Sequence, residues 1–416
     1  MTRTMLSLVL LLLANPCWAE DPAPSPGRFL TLVPELADMP APDWVKPGVR
    51  VTFYGAAAST SESRGSLVED PNGPWEDKKT GKRYRDTEET GEGNPTGSGE
   101  GFAQIDIISV EGKSVVAMVQ LYLIVRSSGA IFPSGVGMPT VGTAANLEDY
   151  WVHPEALKKL IGLDVEGLRA LRGPVTLGDR TYDAVMIEST SGGGHALWTY
   201  DLATGLLLKA STTTAGAFDA VRLPTEQAPR QGNTQRTITR LAGVREIGAS
   251  LAGGRPPDWV ATSQSMTYSG ATQMTNPVDG MDLGSAPTQV EVALGRRGDA
   301  WRQYGTTVTM VIGGMQNTSQ DAGVAGGVGL FWADPKKLAA LEPGKVIDED
   351  PLTGIRTTVG NAGTGPNGGR TISLQSANAK FGVEGVYDLT NGALLEVAVW
   401  NAATGLTLRL ALQGTR

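Results

Sequence analysis

A nine-residue stretch, Tyr200–Leu208 (YDLATGLLL), comes back near the end of the chain as Tyr387–Leu395 (YDLTNGALL), keeping Tyr, Asp, Leu, Gly and the last two Leu. In each copy a polar turn carrying Gly205 or Gly392 joins two strand-like flanks. This reads as a β-hairpin whose glycine takes a positive φ that other residues resist. Two further pairs occur in the same order: Pro42–Val45 (PDWV) with Pro257–Val260, and Trp151–Leu157 (WVHPEAL) with Trp332–Leu338 (WADPKKL). Ordered repeats of this kind make the chain most simply two diverged copies of one domain. The expected division is an N-terminal arm over residues 20–41, a first repeat domain over 42–250 and a second over 251–416. The boundary falls in a cluster containing Gly253, Gly254, Pro256 and Pro257.

Ahead of the arm, Arg3, an apolar run from Met5 to Ala14 and the small residue Ala19 make residues 1–19 read as a secretory signal peptide. Cleavage after Ala19 removes Cys17, the chain's one cysteine, so the mature protein is expected to fold without disulfides. Lipidation of Cys17 is disfavoured by Pro16, which stands where a small residue would be expected. The predicted location is the periplasm or the cell exterior. No later stretch approaches the roughly 20 apolar residues of a membrane helix, so an integral membrane protein is not expected. Loss of Arg3 leaves 34 basic against 43 acidic side chains, a balance that argues against nucleic acid as a partner.

Residues 60–101 carry alternating acidic and basic clusters and close on the run TGEGNPTGSGEG. With little apolar surface to offset ordering, they read as a mobile, charged surface insertion, with Trp75 and Tyr84 as its only anchors to the domain. From Phe102 the strand signal is strong: FAQIDIISV and SVVAMVQLYLIV flank the turn EGK, and Gln104, Asp106 and Ser109 mark one face. Asp149–Ile161 reads as a helix with Pro154 in its first turn, and Lys336–Leu341 as its weaker counterpart. Hairpins follow each. The predicted class is α+β, a tandem duplication of a curved antiparallel sheet packed on one main helix.

Candidate chemistry is sparse. The two histidines, His153 and His195, stand 42 residues apart with no zinc-protease spacing around them. A hydrolase site near the pair stays open as an alternative, and neither a metal nor a cofactor is expected. Asp201 and Asp388 recur in both copies, but a carboxylate beside a turn glycine is explained by capping the turn. Tyr200, Asp201, Gly205, Tyr387, Asp388 and Gly392 are therefore read as a structural motif. Asp70, Asn72 and Asp77 offer oxygen ligands for Ca²⁺ but lack the spacing of an EF-hand loop. If the sheets curl, their inner faces offer Met118, Met186, Leu207 and Leu395, flanked by Trp198 and Trp400, as a lining for an apolar ligand.

The hairpin run ending in YD-x-x-TGLLL, over residues 182–211 and again over 371–397, resembles the closing strands of the curved-sheet carriers that ferry lipoproteins across the bacterial periplasm, and of related lipid-binding sensor domains. That resemblance implies an incomplete barrel plugged by helices and holding acyl chains. The chain departs from those families in its duplication, its charged insertion and its glycine-rich loops. The function expected from the sequence is non-catalytic binding of a lipid-like ligand or an envelope protein partner within the curved sheets. A scaffold with filled cores is the rival.

Overall fold

A computed structural model describes residues 29–60, 67–86, 99–125, 130–165, 167–191, 194–215, 234–366 and 368–416. The signal peptide, Cys17, most of the run TGEGNPTGSGEG and part of the segment between the proposed copies lie outside the described residues. Strands dominate the rest. Among the described residues the α-helices are Pro154–Leu160, Asp258–Thr262 and Pro335–Ala339, of seven, five and five residues. The α+β expectation with one main helix per domain is thereby corrected: this is a mostly β protein built on two large antiparallel sheets. The error has a local cause. Pro154 holds the residue before it extended, so Trp151–Val152 is a strand and His153 the cap, and Gly162 at φ +81° closes the turn after the helix.

The first sheet has 15 strands drawn from residues 49–246, and the second ten from residues 265–415. In the first, the strands Leu168–Leu177, Arg180–Ser191, Gly194–Asp201, Leu207–Ala215, Thr234–Glu246, Val49–Thr60, Gly99–Glu111, Ser114–Val125 and Ala130–Thr143 lie side by side in that order. The second has the strands Arg356–Thr364, Arg370–Ala377, Phe381–Asp388, Leu394–Asn401, Leu406–Thr415, Ser265–Thr275, Asp282–Arg297, Arg302–Ile312 and Met315–Ala325 in the same sequence of neighbours. Each sheet thus places its chain-terminal strands next to its chain-initial ones. The hairpin expected at FAQIDIISV and SVVAMVQLYLIV is present, with Glu111 opposite Ser114.

Alternation sends one row of each strand inward. Behind the first sheet, Val51, Phe53, Ile105, Ile187, Trp198 and Tyr200 meet the helix residues Leu157 and Leu160 and the two short 3₁₀ turns Leu30–Leu32 and Pro34–Leu36. Phe29 stands edge-on to Trp198 and Tyr200, at centroid distances of 5.3 and 5.8 Å. The end of the N-terminal arm is therefore core. Behind the second sheet, Tyr268, Val292, Tyr387 and Leu394 pack on Phe331, Trp332 and Leu338.

Within the charged insertion, residues 67–86 fold into the strands Leu67–Glu69, Trp75–Glu76 and Arg83–Asp86, joined to the first sheet through Glu76 opposite Arg172. These strands make a flap on the sheet. Trp75 and Tyr84 supply the apolar surface, packing with Leu171, Met186, Leu197 and Leu208 on the sheet's outer face.

Candidate functional site

The repeated hairpins are stitched to the rest of each half by matching bonds. Trp44 Nε1 donates to the Thr204 carbonyl at 2.8 Å, and Trp259 Nε1 to the Asn391 carbonyl at 2.7 Å. The Tyr200 hydroxyl reaches the Asp149 carbonyl at 3.1 Å, while Tyr387 reaches those of Gly329 and Leu330 at 3.2 and 3.1 Å. Gly205 and Gly392 both sit at φ +75°. A Cβ on either would strike a backbone carbonyl, that of Val152 or of Ala333. Asp201 caps its turn, taking the Thr204 hydroxyl at 2.6 Å, and Asp388 accepts Thr390 N–H at 2.6 Å.

The residues nominated to line a ligand site do not converge. Trp198 and Leu207 lie in the inner core of the first half, whereas Met186 faces outward beneath Trp75 and Tyr84. Met118 packs beside Val116, Trp301 and Val324, where the two halves meet. In the second half Trp400 covers Gly382 on the strand beside it, and Leu395 approaches Gly365. The histidines are not brought together either. His153 caps the helix Pro154–Leu160, its Nδ1 accepting Glu155 N–H at 3.2 Å, and burial pushes its pKa down. The calcium candidates are engaged by the protein itself: Asp77 holds the Lys79 and Thr80 turn, and Asp70 pairs with Arg85 at 3.2 Å.

His195 belongs to a charged cluster on the outer face of the first sheet. Its Nε2 is 2.9 Å from Glu188 Oε1, and Arg169 donates to Glu188 Oε2 from Nη2 at 2.6 Å and from Nε at 3.1 Å. The Arg169 guanidinium also lies 4.4 Å from the Tyr84 ring centroid, which ties the flap to the cluster. Burial works to raise the Glu188 pKa, but the bonds from His195 and Arg169 outweigh it and hold the carboxyl below its ordinary range. The arrangement satisfies one buried carboxylate with two donors. Beside the flap, a groove of about 480 Å³ is lined by Pro74, Glu76, Arg83, Arg172, Tyr182 and Asp183. Arg172 and Asp183 close on each other there, at 2.9 and 2.5 Å.

The densest polar constellation lies between the two sheets. Arg50 grips Asp106 through two bonds of 2.6 and 2.7 Å and reaches across to Asp350 at 3.0 Å. Gln104 donates to the same Asp350 oxygen from a fully buried position. Arg245 forks onto Asp348 at 2.7 and 3.0 Å, and that carboxylate also accepts Gly248 N–H at 3.0 Å. Burial opposes the charge on Arg50, yet the facing carboxylates raise its pKa above the usual arginine value. For Asp348 and Asp350, burial is outweighed by these donors, and both pKa values fall.

A second contact joins the same halves: Glu111 Oε1 accepts Ala300 N–H at 2.9 Å, and Asp321 Oδ1 accepts Gly137 N–H at 3.2 Å. Sequence reading marked Gln104 and Asp106 as sharing a face without finding what that face meets. Their signal was charge inside apolar strands, Arg50 between two valines and Asp106 between two isoleucines. Chemically the seam offers carboxylates already neutralised by guanidinium groups, which suits it to locking two bodies together. No protein-family model and no curated protein matches this chain.

Proposed function

We propose that this chain is an exported, non-catalytic interaction protein, a tandem duplication of one curved-sheet domain whose two halves act as one rigid body. The observation that carries the reading is the occupant of the first sheet's inner face. Phe29, Leu30, Trp151, Leu157 and Leu160 fill it, in contact with the tryptophan and leucine nominated to hold a ligand. The equal order of strands in the two sheets supports the duplication. The ion pairs between the halves support a fixed arrangement, since breaking one partner of a buried pair costs about 3–5 kcal/mol.

Native mass spectrometry of protein purified from its export compartment tests this. The expected result is the mass of residues 20–416 with no lipid adduct. A stoichiometric co-purifying lipid would overturn the filled-core reading in favour of a carrier, and an unprocessed N-terminus would overturn export.

A further inference from the structure

The outer faces of the two sheets differ in what lies on them. On the first sheet Leu197 and Met186 look outward and receive the flap through Trp75 and Tyr84. When Tyr200 is laid on Tyr387, Glu384 takes the place of Leu197 and Val386 that of Thr199. Met186 lies opposite Thr199 and Ser373 opposite Val386, so Ser373 takes the place of Met186. The flap itself has no counterpart. The second copy joins Ser265–Thr275 to Asp282–Arg297 through residues 276–281, where the first inserts the flap between Val49–Thr60 and Gly99–Glu111.

A groove of about 440 Å³ runs over this bare face, lined by Ser269, Glu384, Val386, Glu396, Arg409 and Ala411. Val397 and Leu410 point into the core, so Glu396, Ala398, Arg409 and Ala411 point outward. Among the described residues, none of the side chains of Glu384, Glu396 and Arg409 has a hydrogen bond or ion pair within the protein. Trp400 continues the groove, opposite Gly382 on one side and Thr407 on the other. A Cβ on Gly382 would meet Cζ2, Cε2 and Cη2 of the Trp400 ring. The indole therefore lies flat on the neighbouring strand, with its other face turned to solvent.

We propose that this face binds an uncharged saccharide chain of flat, β-1,4-linked pyranose rings, one ring stacked on Trp400 and the next ones held along the groove by Glu384, Glu396 and Arg409. The inference rests on the non-catalytic interaction reading above and supplies its partner. The electron-rich face of an indole attracts the C–H groups that line one side of a pyranose. Carboxylates accept and a guanidinium donates, which together match hydroxyl groups that do both. An extended peptide fits less well. Phe381–Asp388, Leu394–Asn401 and Leu406–Thr415 each have a strand on both sides, so they offer no free edge for strand addition. An anionic chain is disfavoured by charge. Glu384, Glu396 and, farther across the sheet, Glu291 stand against Arg409 and, at the turn beyond Trp400, Lys380, so the face carries no basic stripe.

Isothermal titration calorimetry of the purified protein with cellohexaose, N-acetylchitohexaose and hexagalacturonate tests the assignment. The expected result is binding of at least one of the two neutral chains and none of the acidic one. Trp400→Ala should lower the association constant by at least about tenfold through loss of the stacked ring. Glu384→Gln and Arg409→Gln should each weaken binding by a smaller factor, with circular dichroism melts unchanged because these two side chains hold nothing else in place. Should Trp400→Ala melt early, the other two variants carry the test. Binding of neither neutral chain overturns the proposal, as does tighter binding of hexagalacturonate or an affinity that none of the variants alters. Shortening of the bound chain, seen by mass spectrometry and reduced in the same variants, upholds the site and overturns instead the non-catalytic reading.

Discussion

At the scale of single residues, the two copies of the hairpin motif are unequal in ways that can be measured. Asp201 is buried and accepts from the Ala203 and Thr204 amides and the Thr204 hydroxyl, at 3.3, 3.2 and 2.6 Å. Asp388 accepts one amide, that of Thr390, in a more open setting. Asp201→Ala is expected to cost about 1–2 kcal/mol in urea denaturation and Asp388→Ala roughly half as much, since an abandoned buried donor costs more than a wet one. At the turn glycines the two copies agree. Gly205→Ala or Gly392→Ala must combine a left-handed backbone with a collision against the Val152 or Ala333 carbonyl, and each should lose at least about 2 kcal/mol in the same measurement. These positions were legible from spacing alone, because a Gly turn states its own backbone requirement locally. The lining role of Trp198, Leu207 and Met186 was not. Alternation tells which residues of a strand share a face, but not what lies on that face, and here one face is covered by the arm's Phe29 and the other by the flap's Trp75.

At the scale of elements, the hairpins were readable because strand period and turn residues are local signals, and the helix was over-read for the same reason. The expected Asp149–Ile161 is a two-residue strand, a cap and a helix of seven residues, too short to form a layer. In the insertion the two aromatic residues singled out as anchors, Trp75 and Tyr84, pack residues 67–86 onto the sheet. Trp75 is wholly buried, and truncating a buried tryptophan costs about 3–5 kcal/mol. Because the flap meets the sheet at a single backbone pairing, Glu76 with Arg172, that loss should appear as local opening. Hydrogen exchange of Trp75→Ala is expected to show faster exchange in Leu67–Glu69 and Arg83–Asp86, with the strand Arg180–Ser191 still protected. Equal acceleration in both would mean that the flap and the sheet unfold as one unit.

At the scale of the whole molecule, the seam was the least legible part of the sequence. Arg50 and Asp350 are 300 positions apart, and neither stands in a motif. Arg50→Ala would strip Asp106 of its guanidinium partner and leave Asp350 to Gln104, Arg245 and the amides of its own turn. It should cost about 3–5 kcal/mol, read as a lower denaturant midpoint.

The second contact across the seam gives the stability a pH dependence of its own. Burial pushes the Asp321 pKa up to about 6, even though Ala322 and Gly137 N–H groups favour the charged form. Tyr304 is the other titratable group beside it. A carboxylate held above its ordinary value of 3.8 penalises the folded state once ionised. The penalty is therefore absent below the ordinary value and complete above about 6. Asp348 and Asp350 have lowered values, so their contribution is full above the ordinary carboxylate range and lost as the pH falls beneath it. The two effects together place maximal cohesion of the halves in mildly acidic solution. On lowering the pH from roughly 7.5 to 5, the wild-type melting temperature should rise relative to that of Asp321→Asn, which carries no charge to lose. At still lower pH both proteins should fall together as the aspartates facing Arg50 and Arg245 take up protons. Parallel melting curves across the upper interval would show that the Asp321 carboxylate does not titrate within the seam.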